Sequence, residues 1–425
     1  MANRRFFTVA VLTIGILLFG CSPAKTSTTP PALETPGAAE AMDSQTETYN
    51  LVGAAQIELK NIRGTINLKT GAPGQITISA VKVGQGKNAN EARGRLAPMT
   101  VSFEDNGNTI SVIADPGGGS SKSAWTGKQV ELSIVAQEDT ALKLTDGAGL
   151  VKLAGITGGV DIAGGAITVN LSNIRGGVSI AVQGGSVQLD GIGGDSKVSS
   201  QGAPISITRL SSSSLSVTSD TNISIRDTQV DGDTTVKSVS GKLSLLRLKT
   251  GAISADAGKG SLEMAETTAD HGITVQATDG RVYVNRVNSE LLKVTTTGGE
   301  MDVSEVQGGV ELATVNGQIA LSKASPSSVT VKGGAGDVTV EGQLPQPGET
   351  SVTTKSGHIS VTVPRETSFA LEAITKMGKV TVDPRFGLTG SGGSKGQVNG
   401  IVGGGLLHLA LTSDSGNITI QTGQR

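Results

Sequence analysis

Ten times between Gly185 and Val361 the chain repeats one short phrase: a small residue, usually glycine, then x, an apolar residue, x and a second apolar residue. It reads Gly185-Ser-Val187-Gln-Leu189 at the start, Gly280-Arg-Val282-Tyr-Val284 in the middle and Gly357-His-Ile359-Ser-Val361 at the end. The first apolar residues of successive phrases lie 18, 18, 20, 19, 20, 19, 18, 19 and 21 residues apart. A period near 19 is the mark of a solenoid, in which each repeat is one coil that can bury its apolar side only against its neighbours. Apolar residues two apart share one face of a strand, so each anchor pair points into a common interior. Seven residues before each anchor runs a second inward column, from Ile180 and Val198 through Val275 to Val352, interrupted at Ser216. Each coil therefore carries two short strands. The sequence predicts an all-β chain: a β-solenoid (β-helix) with roughly 19-residue coils.

Composition agrees with this reading. Glycine accounts for 60 of 425 residues, aromatics for only 2% and charged residues for 17%, with a net charge of −2. Disordered chains combine high net charge with few β-branched residues, whereas Val, Ile and Thr are abundant here. A near-neutral balance gives no electrostatic reason to expect nucleic acid as a partner. The glycine two residues before the anchor is replaced only by Ala203 and Thr221, and a left-handed or tight corner would explain it.

The N-terminus is of another kind. Arg4 and Arg5 precede the apolar run Phe6 to Phe19, which is the length of a signal-peptide core and short for a membrane span. It ends in Leu18-Phe19-Gly20-Cys21, which resembles the bacterial lipobox, so residues 1–20 read as a lipoprotein signal peptide and Cys21, the only cysteine, as the lipidated mature N-terminus. A diacylglycerol with an N-acyl chain meets the two-signal requirement for stable membrane anchoring. Residues 21–48, with Pro23, Pro30, Pro31 and Pro36 among small polar residues, read as a disordered tether. Residues 49–425 form the solenoid domain. It opens with irregular strands and a hairpin around Asp105-Asn-Gly-Asn108. Asn88 to Ala97 is a short helix or a loop. Regular coils run from about 149 to 382, Gly387 to Gly405 reads as a loop, and Leu407 to Ile420 as one last coil or hairpin.

One column is charged. Four residues after the anchors stand Arg209, Asp227, Arg247, Glu266, Arg286, Glu305 and Lys323, alternating in sign without a fault. In-register stacking would set each charge beside two opposite ones, a structural ladder that fixes register. Chemistry is otherwise sparse. His271, His358 and His408 are far apart, no metal-ligand spacing occurs, and the glycine-rich stretches lack the Lys-Ser/Thr of a phosphate loop. The sequence thus points to no catalytic residues, no metal and no cofactor. A β-helix polysaccharide lyase or hydrolase needs carboxylates clustered beside a groove, whereas outward positions such as Ser206, Ser224, Thr339 and Ser360 are small and uncharged.

From Thr48 to Gln421 the chain resembles the bacterial putative-adhesin β-solenoid family. The coil Thr354-Lys-Ser-Gly357-His-Ile-Ser-Val361, the break Val363-Pro-Arg-Glu-Thr-Ser-Phe369 and the ending Leu409-Ala-Leu-Thr-Ser-Asp-Ser-Gly416-Asn-Ile-Thr-Ile420 carry the resemblance. It implies adhesion and supplies no catalytic residues. The expectation is a non-enzymatic, lipid-anchored cell-envelope protein at the outer membrane or cell surface. It would offer a surface for adhesion or scaffolding to an envelope polysaccharide or protein. A periplasmic accessory or sensor protein and the β-helix polysaccharide enzyme are the alternatives.

Overall fold

The computed structural model describes residues 39–118, 121–390 and 394–423. The protein is a β-solenoid with about 19 residues per turn and, among the described residues, one α-helix. The signal peptide and Cys21 lie outside the described residues. The chain divides into two units, Met1–Gly194 and Asp195–Arg425.

In the first unit the strands are β1 (Ala39–Asn50), β2 (Gln56–Lys60), β3 (Arg63–Thr70) and β4 (Gln75–Gly86). After helix α1 (Ala89–Leu96) come β5 (Thr100–Asp105), β6 (Thr109–Asp115), β7 (Lys128–Ala136), β8 (Ala141–Ala154), β9 (Val160–Ile174) and β10 (Val178–Ile192). Parallel coils begin well before residue 149. Ile57 of β2 lies between Ile110 of β6 and Leu142 of β8, and Ile66 of β3 lies between Leu132 of β7 and Val151 of β8. The chain therefore writes its second coil first, turns outward to make the first, and returns to lay the third on top.

The outermost coil is closed by antiparallel pairing, which occupies backbone groups that a parallel edge would leave open. β4 pairs with β7, β5 with β6 in the expected hairpin, and β1 with β4. Helix α1 sits on β4 at its glycines, where a Cβ on Gly84 would stand 2.4 Å from the Ala92 carbonyl oxygen. Its cap resolves the choice between helix and loop. The Asn88 side chain accepts from the Glu91 N–H at 2.9 Å, and the Glu91 carboxylate accepts from the Lys87 N–H at 2.8 Å.

β1 corrects the tether. Residues 39–48 are not disordered; they belong to a twelve-residue strand in unbroken antiparallel register with β4. Its polar composition concealed it, because its stability comes from backbone pairing and from contacts such as Asp43–Lys82 at 2.7 Å and Thr46–Ser79 at 2.8 Å. Tyr49, at its end, is half-buried. Its phenol is pushed up to about 12, first by burial and then by Glu47 and Asp105. The folded state thus favours the neutral phenol, so the stability it contributes is present below pH 10 and lost as pH rises through about 12. In a Tyr283→Phe variant Tyr49 is the only tyrosine left to titrate. Phenolate absorbance should then show a midpoint near 12, and a midpoint at the ordinary 10 would mean that β1 is not docked.

In the second unit the two inward columns run in register from coil to coil. One carries Ile223, Leu243, Leu262, Val282 and Met301, all at most 1% exposed. The other does not break at Ser216. Val217 pairs with both Val198 and Val236, because that coil is one residue shorter between its two strands.

Gly185, the first corner glycine of the array, is left-handed as expected, at φ 96°, but later ones have a different reason. Gly260, Gly280, Gly299, Gly317, Gly336 and Gly357 are absent from the positive-φ residues. They stack on one another: a Cβ on Gly299 would lie 1.9 Å from the Gly280 carbonyl oxygen, and one on Gly317 would lie 1.8 Å from that of Gly299. Close approach of backbone to backbone excludes a side chain there.

The C-terminal end is interleaved. Ile418 of the last strand, Ile418–Thr422, pairs with Ile359 on one side and Val380 on the other. In the companion sheet Leu409 lies between Thr350 and Leu371. The last residues are thus not the terminal coil. They slot beneath the coil of residues 369–382, which precedes them in sequence and is outermost. The stretch expected as a loop contains a strand, Gln397–Val402, that pairs antiparallel with Phe369–Thr375. Phe386 packs edge-on against Phe369 with ring centroids 5.3 Å apart.

Candidate functional site: a charged corner groove

Among the described residues of the second unit, the non-glycine residues with left-handed φ are those of the ladder. Arg209, Asp227, Arg247, Glu266, Arg286, Glu305 and Lys323 have φ between 49° and 54°. Here the chain turns from one sheet face to the next, and the turn interrupts the backbone ladder: Arg226 pairs with Leu246 and Thr228 with Leu248, while Asp227 and Arg247 are skipped. A residue with a Cβ holds this conformation at a cost of about 1–2 kcal/mol. In the first unit the left-handed positions Asn61, Asp146 and Asn173 carry the residue types that bear it most readily.

Several ladder neighbours meet. Arg247 grips Asp227 with two hydrogen bonds, from Nε at 2.5 Å and from a terminal nitrogen at 3.0 Å. Arg286 reaches both Glu266 at 3.0 Å and Glu305 at 3.4 Å. The hydrogen bond from Arg247, followed by its charge, holds the Asp227 carboxyl below the usual range, and the same contact raises Arg247. Replacing Glu266 by lysine would put three cations in a row, Arg247, Lys and Arg286. The variant should lose about 1 kcal/mol of stability in low salt, and the difference from the parent should shrink as salt screens it. Thermal melts at two ionic strengths check this; an unchanged low-salt melt means that the column does not act as a ladder.

The column borders a groove of about 400 Å³ lined by Arg286, Glu305 and Lys323 together with Thr268, Asn288, Gln307 and Ser325. Farther along the unit a wider cleft of about 710 Å³ opens between Glu341, Gln343, Arg365, Glu366, Arg385 and Thr422. It lies near the same corner of the coils, because Glu341 pairs with Ser322 beside Lys323 and with Thr362 three residues before Arg365. Behind Arg385 stands Asp383, 13% exposed. It accepts from the Arg385 side chain and N–H and from the Thr422 hydroxyl, and these bonds hold its carboxyl far below the usual range.

The histidines do not converge. His271 lies in a turn, His358 Nδ1 accepts from the Asn417 N–H at 2.9 Å, and His408 stands 3.9 Å from Glu349. Among the described residues no His, Cys, Asp and Glu group is arranged to hold a metal ion. A buried hydroxyl column was present in the sequence as Ser/Thr-x-x-Gly without a role. Ser238, Thr314, Thr375 and Ser413 each accept from the N–H of the corner glycine three residues on, at 2.8–3.1 Å. These bonds close the corner that the glycine stack requires.

No curated protein matches the chain. Among solved structures, a putative cell adhesion protein from Clostridium sporogenes aligns over 90% of this chain and 100% of its own, at 10% identity and a TM-score of 0.16, a likeness on which nothing below rests. The Toastrack DUF4097 family matches residues 197–421, more than half of the chain. This chain belongs to the Toastrack DUF4097 family.

Proposed function

We propose that this is a non-enzymatic, lipid-anchored envelope protein whose solenoid corner serves as an extended binding or scaffolding surface. One observation carries the reading: the charged and amide side chains of the second unit are spread along an open groove over successive coils instead of converging on a point. Ionisation bears only on the binding part of this reading. The carboxyls that depart from ordinary behaviour, Glu91, Asp195, Asp227 and Asp383, are all lowered, each first by a hydrogen-bond donor to the charged form. Such groups accept hydrogen bonds well and donate protons poorly at neutral pH. The anchor rests on the Arg4-Arg5 start, the apolar run and Cys21. The test is full-length protein incubated with isolated envelope polysaccharide and envelope proteins. Retention with no shortening of the polymer supports the reading, and release of new sugar ends overturns its non-enzymatic part. Labelling with palmitate should be lost in Cys21→Ser.

A further inference from the structure

Along the corner of the second unit the cations recur on every second coil, and the interleaved ending extends this beyond what the sequence order suggests. Arg209, Arg247, Arg286 and Lys323 alternate with Asp227, Glu266 and Glu305. Beyond Lys323 the column's own place is taken by Gly342, but the pairing Ser322–Glu341–Thr362 sets the anion Glu341 one position before it and leads on to Arg365, three residues after Thr362. In sequence the next coil is that of Val380, but in space the strand Ile418–Thr422 lies between. Arg385 is therefore two coils beyond Arg365, in phase with the rest, and both line one cleft. Two strand spacings put these cations about 9–10 Å apart along the axis.

A register ladder alone does not require this design. The left-handed corner is held at lower cost by Asn, Asp or Gly, as in the first unit. Arg365 and Arg385 are not left-handed, belong to irregular segments, and still fall on the same two-coil repeat. The cations stay accessible: the Arg247, Arg286 and Arg385 side chains are 51%, 59% and 63% exposed. The anions between them are acceptors for hydroxyl groups, and Thr268, Asn288, Gln307 and Ser325 add neutral donors and acceptors to the groove lining.

Resting on the binding reading above, we propose that this groove takes an extended acidic glycan in which charged and neutral sugars alternate. One carboxylate per two-sugar unit would meet each Arg or Lys. The hydroxyls of the neutral sugar would donate to Asp227, Glu266, Glu305 and Glu341. A polymer with an acid on every sugar would set half of its charges against those carboxylates.

The test is the dissociation constant of the full chain at low salt for hyaluronan, which carries one carboxylate per two sugars. Polygalacturonate, dextran and poly-L-glutamate serve as comparisons. Hyaluronan should bind more tightly than polygalacturonate, dextran should not bind, and added salt should weaken the complex. The double variant Arg286→Gln/Lys323→Gln should weaken binding at least tenfold. Lys293→Gln removes a cation and an ion pair (with Glu311, at 3.4 Å) from the same coils but outside the groove lining, so it should bind hyaluronan as the parent does. Equal weakening by both variants would mean that overall charge and not this column holds the polymer, and would overturn the proposal. Tighter binding of poly-L-glutamate would overturn it in favour of an acidic peptide. Capture of envelope material that is unaffected by the double variant, with no hyaluronan bound, would sink this inference and leave the binding function standing. Capture of nothing would sink both.

Discussion

Alanine in place of Gly317 is expected to lower stability by about 3 kcal/mol or more, at the upper end of what overpacking costs. The added Cβ would stand 1.8 Å from the Gly299 carbonyl oxygen and 2.7 Å from its carbonyl carbon. Both atoms are backbone, so no rotamer change relieves the contact. The strands must separate locally, and the Thr314 hydroxyl, which accepts from the Gly317 N–H at 3.0 Å, loses its geometry as well. Gly94→Ala is the control. Gly94 lies inside helix α1, and a methyl group added there would meet nothing within 4 Å, so alanine should stabilise by about 0.5–1 kcal/mol. Urea unfolding of the two variants checks the contrast. Equal effects would show that glycine at the corner is a matter of backbone freedom and not of stacking.

The second large effect concerns the end of the chain. Removing residues 407–425 withdraws Leu407, Leu409, Leu411, Ile418 and Ile420, each at most 1% exposed. At about 1.5–3 kcal/mol per buried side chain the loss approaches about 7–15 kcal/mol, as much as a whole domain commonly has. A solenoid loses order coil by coil, so the damage should be local. The segment from Phe369 to Val382 loses its partner on the inner side and should become protease-sensitive, with cleavage beginning near Pro364. Coils before Thr330 should stay protected. Hydrogen exchange read by mass spectrometry distinguishes this from a simple terminal coil, whose removal would leave residues 369–382 docked and protected.

These two cases also show which parts of the fold could be read from the sequence. The anchor pairs were legible because burial imposes a period of two within a strand and of about 19 between coils. The corner glycines were legible as positions, but a one-dimensional pattern cannot tell a left-handed turn from a carbonyl stacked against the next coil. In the second unit the left-handed φ falls mostly on Arg, Glu and Lys, types that give no such signal. Strand order at the two ends was hidden because Leu407 to Ile420 has the same pattern whether its coil is last or next to last. β1 was hidden because an edge strand held by its backbone needs no apolar residues. For the candidate site, the alternation from Arg209 to Lys323 was plain in the sequence. Its continuation through Glu341, Arg365 and Arg385 needed the order of coils in space.

The interleaved ending bears on how the molecule folds. The Asn417 N–H donates to a side chain 59 residues earlier in the chain, so the C-terminal cap is built from contacts of long sequence separation. Most of the array can grow by adding the next coil in sequence, each closing a loop of about one period. The cap cannot. The coil of residues 369–382 has no inner surface to rest on until residues 407–422 have arrived. Closing the longer loop costs more entropy than adding one coil, and non-local pairing of this kind slows folding. A refolding experiment should therefore show the inner coils of the second unit protected from exchange first. Protection at Phe369 to Val382 and at Leu407 to Thr422 should follow together in one later, slower phase.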